Sequence, residues 1–172
     1  MEKKATSPLM AGLLISLILV VLDLIGGFTH LKYETWWGWI GGCVMFIAII
    51  LVCISYANQK NNYVTFGNVF GYGFKVSAVI AVIILVYSYL SVYLIFPETR
   101  DIVLDTTRKQ MEARGNLSED QIDQAMEMTK KFFGIGPIFG GIATLIIGTI
   151  GSLLGGAFAK KKQVTPFDQP NA

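Results

Sequence analysis

The chain of 172 residues is 53% hydrophobic and 15% charged, with a formal net charge of +2. Soluble domains carry about 25% charged residues, so the composition indicates a membrane protein, and the length allows one domain. The small net charge, without an arginine-rich patch, argues against nucleic acid as a partner. Fourteen charged residues fall within residues 98–131, which predicts one water-exposed insert.

Four apolar tracts follow one another along the chain, namely Leu9 to His30, Trp36 to Tyr56, Tyr72 to Phe96 and Gly134 to Ala159. Each exceeds the ~20 residues that cross ~30 Å of hydrocarbon as a helix. They lack the alternation of a β-barrel, and a backbone in lipid must satisfy its own polar groups. We therefore predict an all-α membrane protein, with residues 1–172 forming a single domain of four transmembrane helices.

The first tract has a second interpretation, because Met1-Glu-Lys-Lys resembles the charged start of a signal peptide. Its apolar run exceeds the usual ~7–15 residues, and no small-residue cleavage site follows between Asp23 and Thr29. We interpret the tract as a retained helix.

Basic residues near the tract ends are unevenly distributed between the two sides of the predicted bundle. One side holds seven, namely Lys3, Lys4, Lys60, Lys75, Lys160, Lys161 and Lys162. Short cytoplasmic loops are enriched in Lys and Arg, so we expect a multi-pass protein of the cell (inner) membrane with both termini cytoplasmic. The other side holds Lys32 and six basic residues of the insert, of which Lys130 and Lys131 count against this orientation.

The insert, residues 97–133, reads as a helical hairpin outside the membrane. Pro97 precedes a helix over 98–114 that ends at Gly115, and Ser118 with Gln121 forms a capping box for a second helix. The first helix has Ile102, Val103 and Met111 as its main apolar residues, and the second carries an apolar stripe of Ile122, Ala125, Met126, Thr129 and Phe133. The hairpin is either a partner-docking or ligand-gating element, or a solvated connector.

Asp23 is an acidic residue inside the first apolar tract, where a charge is costly and is by default a hypothesis about function. It lies roughly 7–8 Å from the helix end near Phe28, at 1.5 Å per residue. Other tracts place polar or small residues at similar depth, namely Tyr87, Ser88, Tyr89, Ser91, Thr144, Gly41 and Gly42. The cluster is a structural hydrogen-bond node, a cation or proton site, or a contact with a partner subunit.

Small residues recur every four positions in the fourth tract, namely Gly136, Gly140, Thr144, Gly148, Ser152 and Gly156. A second, shorter row contains Gly151, Gly155 and Ala159. Close backbone approach gives helices in lipid their van der Waals contact. We predict that this ridge packs against another helix of the same chain, or alternatively a second copy, and makes the fourth helix the packing centre.

Sequence motifs of enzymes and metal sites are missing. GxSxG, HExxH, phosphate-loop and dinucleotide-binding patterns do not occur, and His30 is the only histidine. Cys43 and Cys53 are ten residues apart, roughly 15 Å along a helix and beyond disulfide reach. We expect neither enzyme activity nor a cofactor or metal.

Several features recur together: an aromatic and glycine-rich segment, Phe66-Gly-Asn-Val-Phe-Gly-Tyr-Gly-Phe74, then Pro97, a charged helical insert with Gly115 and Ser118, and a closing Lys-Lys-Lys. With them the chain resembles the small bacterial membrane proteins of domain-of-unknown-function family 4199, over nearly its whole length. The resemblance implies four membrane helices and carries no activity with it.

The sequence therefore favours a non-enzymatic accessory or assembly protein. The alternative is a small transporter or channel subunit with a polar site around Asp23. The expected partners are the lipid bilayer and other membrane proteins or a second copy of the chain. The two functions differ in whether Asp23 faces a water-accessible cavity or packed side chains.

Overall fold

The computed structural model describes residues 6–115 and 117–162, and they are almost entirely helical. The described residues form six α-helices: α1 (Pro8–Phe28), α2 (Thr35–Gln59), α3 (Phe66–Leu90), α4 (Thr99–Arg114), α5 (Glu119–Phe132) and α6 (Gly136–Phe158). Short 3₁₀ turns at Leu31–Tyr33 and Phe133–Ile135, and a π-helical turn at Ser91–Ile95, lie between them. By length and composition α1, α2, α3 and the stretch ending with α6 are able to cross a membrane, which confirms the four predicted spans.

Local capping explains where α1 and α3 begin. The Ser7 hydroxyl accepts a hydrogen bond from the Met10 amide, with Pro8 at the start of α1. The Thr65 hydroxyl does the same for the Asn68 amide, so α3 begins at Phe66 rather than at the predicted Tyr72. A satisfied cap outweighs the low helix propensity of the glycines in this segment.

Helix α3 is the central element of the bundle. It packs against α1, α2 and α6, whereas α6 packs mainly against α3 and α2. The prediction that the fourth span is the packing centre is therefore wrong. The core is apolar, and its fully buried side chains include Ile49, Cys53, Val69, Val76 and Ile80.

Small residues bring α3 and α6 into close contact. A Cβ added to Gly148 would lie 2.5 Å from Cβ of Ser77, and one added to Gly73 would lie 2.6 Å from Oγ of Ser152. Both serine hydroxyls donate to carbonyls of their own helices, that of Ser77 to Gly73 and that of Ser152 to Gly148. These hydroxyls are therefore satisfied inside the membrane at no cost to the close approach.

The structure places the predicted ridge of α6 only partly in this interface. Gly148, Ser152 and Gly156 are buried, as are Gly151, Gly155 and Ala159 of the second row. Gly136 and Gly140 are exposed, and a Cβ added to either would meet nothing within 4 Å. The prediction is wrong for these two residues because a row of every fourth residue rotates by about 40° per step around the helix. Gly141 takes their place and contacts Leu85 of α3.

Helices α4 and α5 contact each other through a small apolar cluster of Leu104, Ile122 and Met126, with Met111 against it. Leu104 takes the place of Ile102 and Val103, the apolar residues predicted for this helix. Val103 is 38% exposed, because consecutive helical residues point about 100° apart. Gly115 ends α4 with a φ of 64°, and Ser118 and Gln121 form the expected capping box.

Charged side chains on the surface of α4 also link it to α5. The Arg108 guanidinium lies 2.9 Å from Glu112 of its own helix and 3.2 Å from Asp123 of α5. The hydrogen bond to Glu112 and the charge of Asp123 raise the pKa of Arg108. Lys109 pairs with Asp105 at 2.7 Å, so α4 carries two i,i+4 ion pairs on its surface.

The close approach at Gly148 is open to a direct test. Gly148→Leu should lower the thermal stability of the protein in detergent by about 1–3 kcal/mol, because the added side chain overlaps Ser77. Gly140→Leu is the matched control on the same helix, since open space surrounds its Cβ position. Equal melting temperatures for the two variants would contradict the packing described.

Candidate functional site

The carboxylate of Asp23 is held by α3. The Tyr87 hydroxyl donates a hydrogen bond to Oδ2 of Asp23 at 2.8 Å, and the Ser91 hydroxyl lies 3.5 Å from the same oxygen. Tyr87 and Ser91 are one helical turn apart, so they present their hydroxyls on one side of α3. No hydrogen bond from the described residues reaches Oδ1, which leaves that oxygen able to accept from a ligand or water.

Asp23 lines a partly open cavity of about 300 Å³ to which all four membrane spans contribute lining residues. Its polar lining groups come from three spans, and the lining includes Asp23, Tyr87, Ser88, Thr144, Leu19, Met45, Ile84 and Ile147. Cavities of this size, mostly apolar with a few polar groups, are typical of small-ligand sites.

Three glycines of α2 form one wall of this cavity, namely Gly38, Gly41 and Gly42. Gly41 and Gly42 lie three and four positions after Gly38, so the three glycines lie on one side of the helix. A Cβ at any of them would meet nothing within 4 Å, so these glycines are not needed for helix packing. The space opposite Asp23 exists because α2 carries no side chains there.

A second cavity of about 260 Å³ also includes Asp23, Tyr87 and Ser88. It extends toward the 3₁₀ turn after α1 and the start of α4, where Lys32, Tyr33 and Thr99 line it. The Lys32 ammonium lies 4.2 Å from the ring centroid of Phe96. Asp23 thus lies between a cavity within the bundle and a cavity near its end.

Two features fix the surroundings of the carboxylate. Gly26 and Gly27 of α1 allow the rings of Trp37 and Phe96 to pack directly on the helix, and a Cβ at either glycine would overlap those rings. The α3 helix widens into a π-helical turn beginning at Ser91, where the Phe96 amide donates to the Ser91 carbonyl at 2.7 Å. Such turns occur frequently at functional sites.

The structure brings most of the predicted site residues together. Asp23, Tyr87, Ser88 and Ser91 are neighbours, and Thr144 lines the first cavity while its hydroxyl donates to the Gly140 carbonyl. Tyr89 was wrongly included, since its hydroxyl donates to the Gly134 carbonyl at 2.8 Å. Two positions along a helix amount to about 200° of rotation, which directs Tyr89 away from Tyr87.

Lys32, Tyr33 and Thr99 line the second cavity but were not among the predicted site residues. They belong to a connection and to the insert, and their approach to Asp23 depends on how the chain turns after α1 and α3. The sequence signal that pointed to Lys32 was its positive charge just after the end of α1, the helix that contains Asp23.

The chemistry open to this site follows from its single carboxylate and its hydroxyl groups. Within residues 6–115 and 117–162, no group of three or more His, Cys, Asp or Glu side chains is able to hold a metal ion. A lone carboxylate with one free oxygen binds a proton or a monovalent cation, and neighbouring hydroxyls supply further oxygen ligands.

Four apolar helices around a partly buried polar site indicate a multi-pass membrane protein. Its sequence matches the model of the family described as protein of unknown function DUF4199 over residues 9–161, so the chain belongs to that family. The comparisons with curated proteins and with solved structures gave no match.

The hydrogen bond between Tyr87 and Asp23 should appear as an energetic coupling. In a double-mutant cycle of Tyr87→Phe and Asp23→Ala, we expect a coupling of about 1–2 kcal/mol in detergent unfolding. The matched cycle of Tyr89→Phe with Asp23→Ala should give none, because the Tyr89 hydroxyl bonds elsewhere. Equal couplings in the two cycles would contradict the assigned geometry.

Proposed function

We propose that this protein is a small transporter or channel subunit in which a proton or a small cation binds at Asp23. The observation that carries the proposal is that Asp23 faces two cavities rather than packed side chains. Because cavities lie at Asp23, we favour a role in transport over a purely structural role as a hydrogen-bond node.

The local contacts support reversible binding. A carboxylate in a membrane span is costly, and the Tyr87 hydrogen bond stabilises only one of its oxygens. A bound proton or cation would neutralise the charge and occupy the free oxygen. The two cavities leave open space for such a ligand beside Asp23, one within the bundle and one toward its end.

We also propose that the protein is not an enzyme. The only histidine of the chain, His30, lines neither cavity, so a serine or threonine at Asp23 has no histidine to activate it. Passage of a proton or cation requires binding and release alone.

An accessory or assembly role is the second candidate, and apolar side chains of the insert favour it. Met128 is 61% exposed, Phe132 49% and Leu117 39%. We propose that α4 and α5 form a hairpin outside the membrane whose exposed apolar residues bind another membrane protein. In this arrangement the protein lies in the cell (inner) membrane with both termini cytoplasmic.

Flux into reconstituted vesicles tests the transport proposal. Asp23→Asn should reduce the flux of protons, Na⁺ or K⁺ at least tenfold, because the amide keeps the size of the side chain and loses its charge. Gly41→Leu should have a similar effect by filling the cavity, since open space around the position lets the protein fold.

The control for the cavity-filling variant is Gly136→Leu. Its Cβ would also meet nothing within 4 Å, and the position lines neither cavity, so flux should equal that of the wild type. Wild-type flux no greater than that of empty vesicles would remove the transport proposal.

Cysteine labelling from outside the cell tests the orientation. The described residues do not include Lys3 and Lys4, on which the predicted orientation depends in part. They also do not include Asn116, in the insert, and Asn171, near the C-terminus, where a label would otherwise be placed. We therefore choose Asn61→Cys, between α2 and α3, and Glu119→Cys, at the start of α5, in a chain without Cys43 and Cys53. Label should reach position 119 and not position 61, and the opposite pattern would reverse the topology.

A further inference from the structure

A polar cleft of about 460 Å³ lies at the opposite end of the bundle from the insert. The start of α1, the end of α2 and the start of α3 enclose it, and its lining includes Lys60, Asn68, Lys75 and Tyr72. None of these residues lines the cavities at Asp23.

Hydrogen bonds hold the three helix ends of this cleft together. The Thr6 amide donates to the Gln59 side chain at 2.7 Å, and the Tyr72 hydroxyl donates to the Thr6 carbonyl at 3.0 Å. The rings of Tyr56 and Tyr72 stack with their centroids 4.2 Å apart. The cleft is therefore a defined part of the fold rather than a gap between unconnected ends.

Two lysines give the cleft a positive charge. Lys75 is the tenth residue of α3, roughly 14 Å from its start, so it lies within a membrane span. It lines the same cleft as Lys60, and because helical side chains tilt toward the N-terminus and lysines extend toward the interface, we expect its ammonium on the side of the lipid headgroups.

The described chain supplies no acidic partner at this end. Residues 6–22, 35–97 and 128–162 contain no Asp or Glu, and no salt bridge of the described residues includes Lys60 or Lys75. Helices α1 and α3 also begin at the cleft, and helix N-termini carry a partial positive charge. Two ammonium groups and two positive dipole ends thus lie at a cleft that no carboxylate of residues 6–115 and 117–162 lines.

We propose that this cleft binds the phosphate of an anionic lipid headgroup. Lys60 and Lys75 form charge-assisted hydrogen bonds to the phosphate oxygens, and the Asn68 amide donates a further one. The acyl chains of a lipid extend along the bundle into the bilayer, so a lipid reaches this site without leaving the membrane. A free phosphate shares the same chemistry and is the competing source.

The experiment measures the melting temperature of the purified protein in detergent against added phosphatidylglycerol, phosphatidylcholine or inorganic phosphate. Phosphatidylglycerol should raise the melting temperature at concentrations where the other two do not. The double variant Lys60→Gln/Lys75→Gln should weaken the apparent affinity by about 25-fold, since each lysine in direct contact with an anionic headgroup contributes a factor of about five.

The matched control is Lys161→Gln/Lys162→Gln, which removes the same charge at the same end from residues that do not line the cleft. It should keep the phosphatidylglycerol effect. Gly71→Leu fills the cleft with every lysine in place, and open space around the position lets it fold, so it should lose the effect.

Three results would overturn the proposal. If both double variants lose the phosphatidylglycerol effect equally, the lipid is attracted to the basic surface in general and not to the cleft. Equal effects of phosphatidylglycerol and phosphatidylcholine would show no preference for an anionic headgroup. Inorganic phosphate that reproduces the effect at the same concentration would assign the cleft to free phosphate.

Discussion

Close backbone contact between α3 and α6 is the constraint on which the rest of this bundle depends. In lipid, helices gain no hydrophobic drive to associate, so van der Waals contact along small residues has to hold them together. Gly73 and Gly148 allow that contact, and Ser77 and Ser152 fill the remaining space with hydroxyls bonded to their own helices. Because α3 also packs on α1 and α2, its position on α6 sets the position of the other spans.

Glycine has two opposite effects in this protein. At the α3–α6 interface the missing side chains are replaced by atoms of a neighbouring helix, so the bundle is tight there. Along Gly38, Gly41 and Gly42 nothing replaces them, and a cavity remains opposite Asp23. The same residue type therefore closes one part of the bundle and opens another, depending on whether a partner helix lies within reach.

Much of the fold follows from the sequence because each of its signals is local. The length of an apolar tract indicates a span, and Gly115 and Ser118 mark helix ends through their own backbone chemistry. The rise per residue was enough to place Asp23, Tyr87 and Thr144 at one depth. Depth alone does not specify how a helix is rotated about its axis. This explains why Tyr89 was wrongly predicted in the polar site, and Gly136 and Gly140 in the helix interface.

Local sequence signals did not predict the contacts between segments that are distant in the chain. Lys32 reaches the second cavity only because the chain turns back after α1, and Leu104 faces α5 only because of how α4 is rotated. The early start of α3 at Phe66 was hidden by glycines that ordinarily weaken a helix. A sequence pattern specifies each helix better than it specifies which of its faces meets which neighbour.

The π-helical turn at Ser91–Ile95 has a consequence for chain length. Its amide-to-carbonyl bond from Phe96 to Ser91 spans five residues, one more than an α-helical turn, so the segment accommodates a single extra residue. Ser91 on one side and Phe96 on the other keep their contacts with α1 across that bulge. A shorter homologue lacking one residue here would retain both contacts on a regular helix. Deletion of a single residue between α3 and the insert is thus compatible with an unchanged bundle.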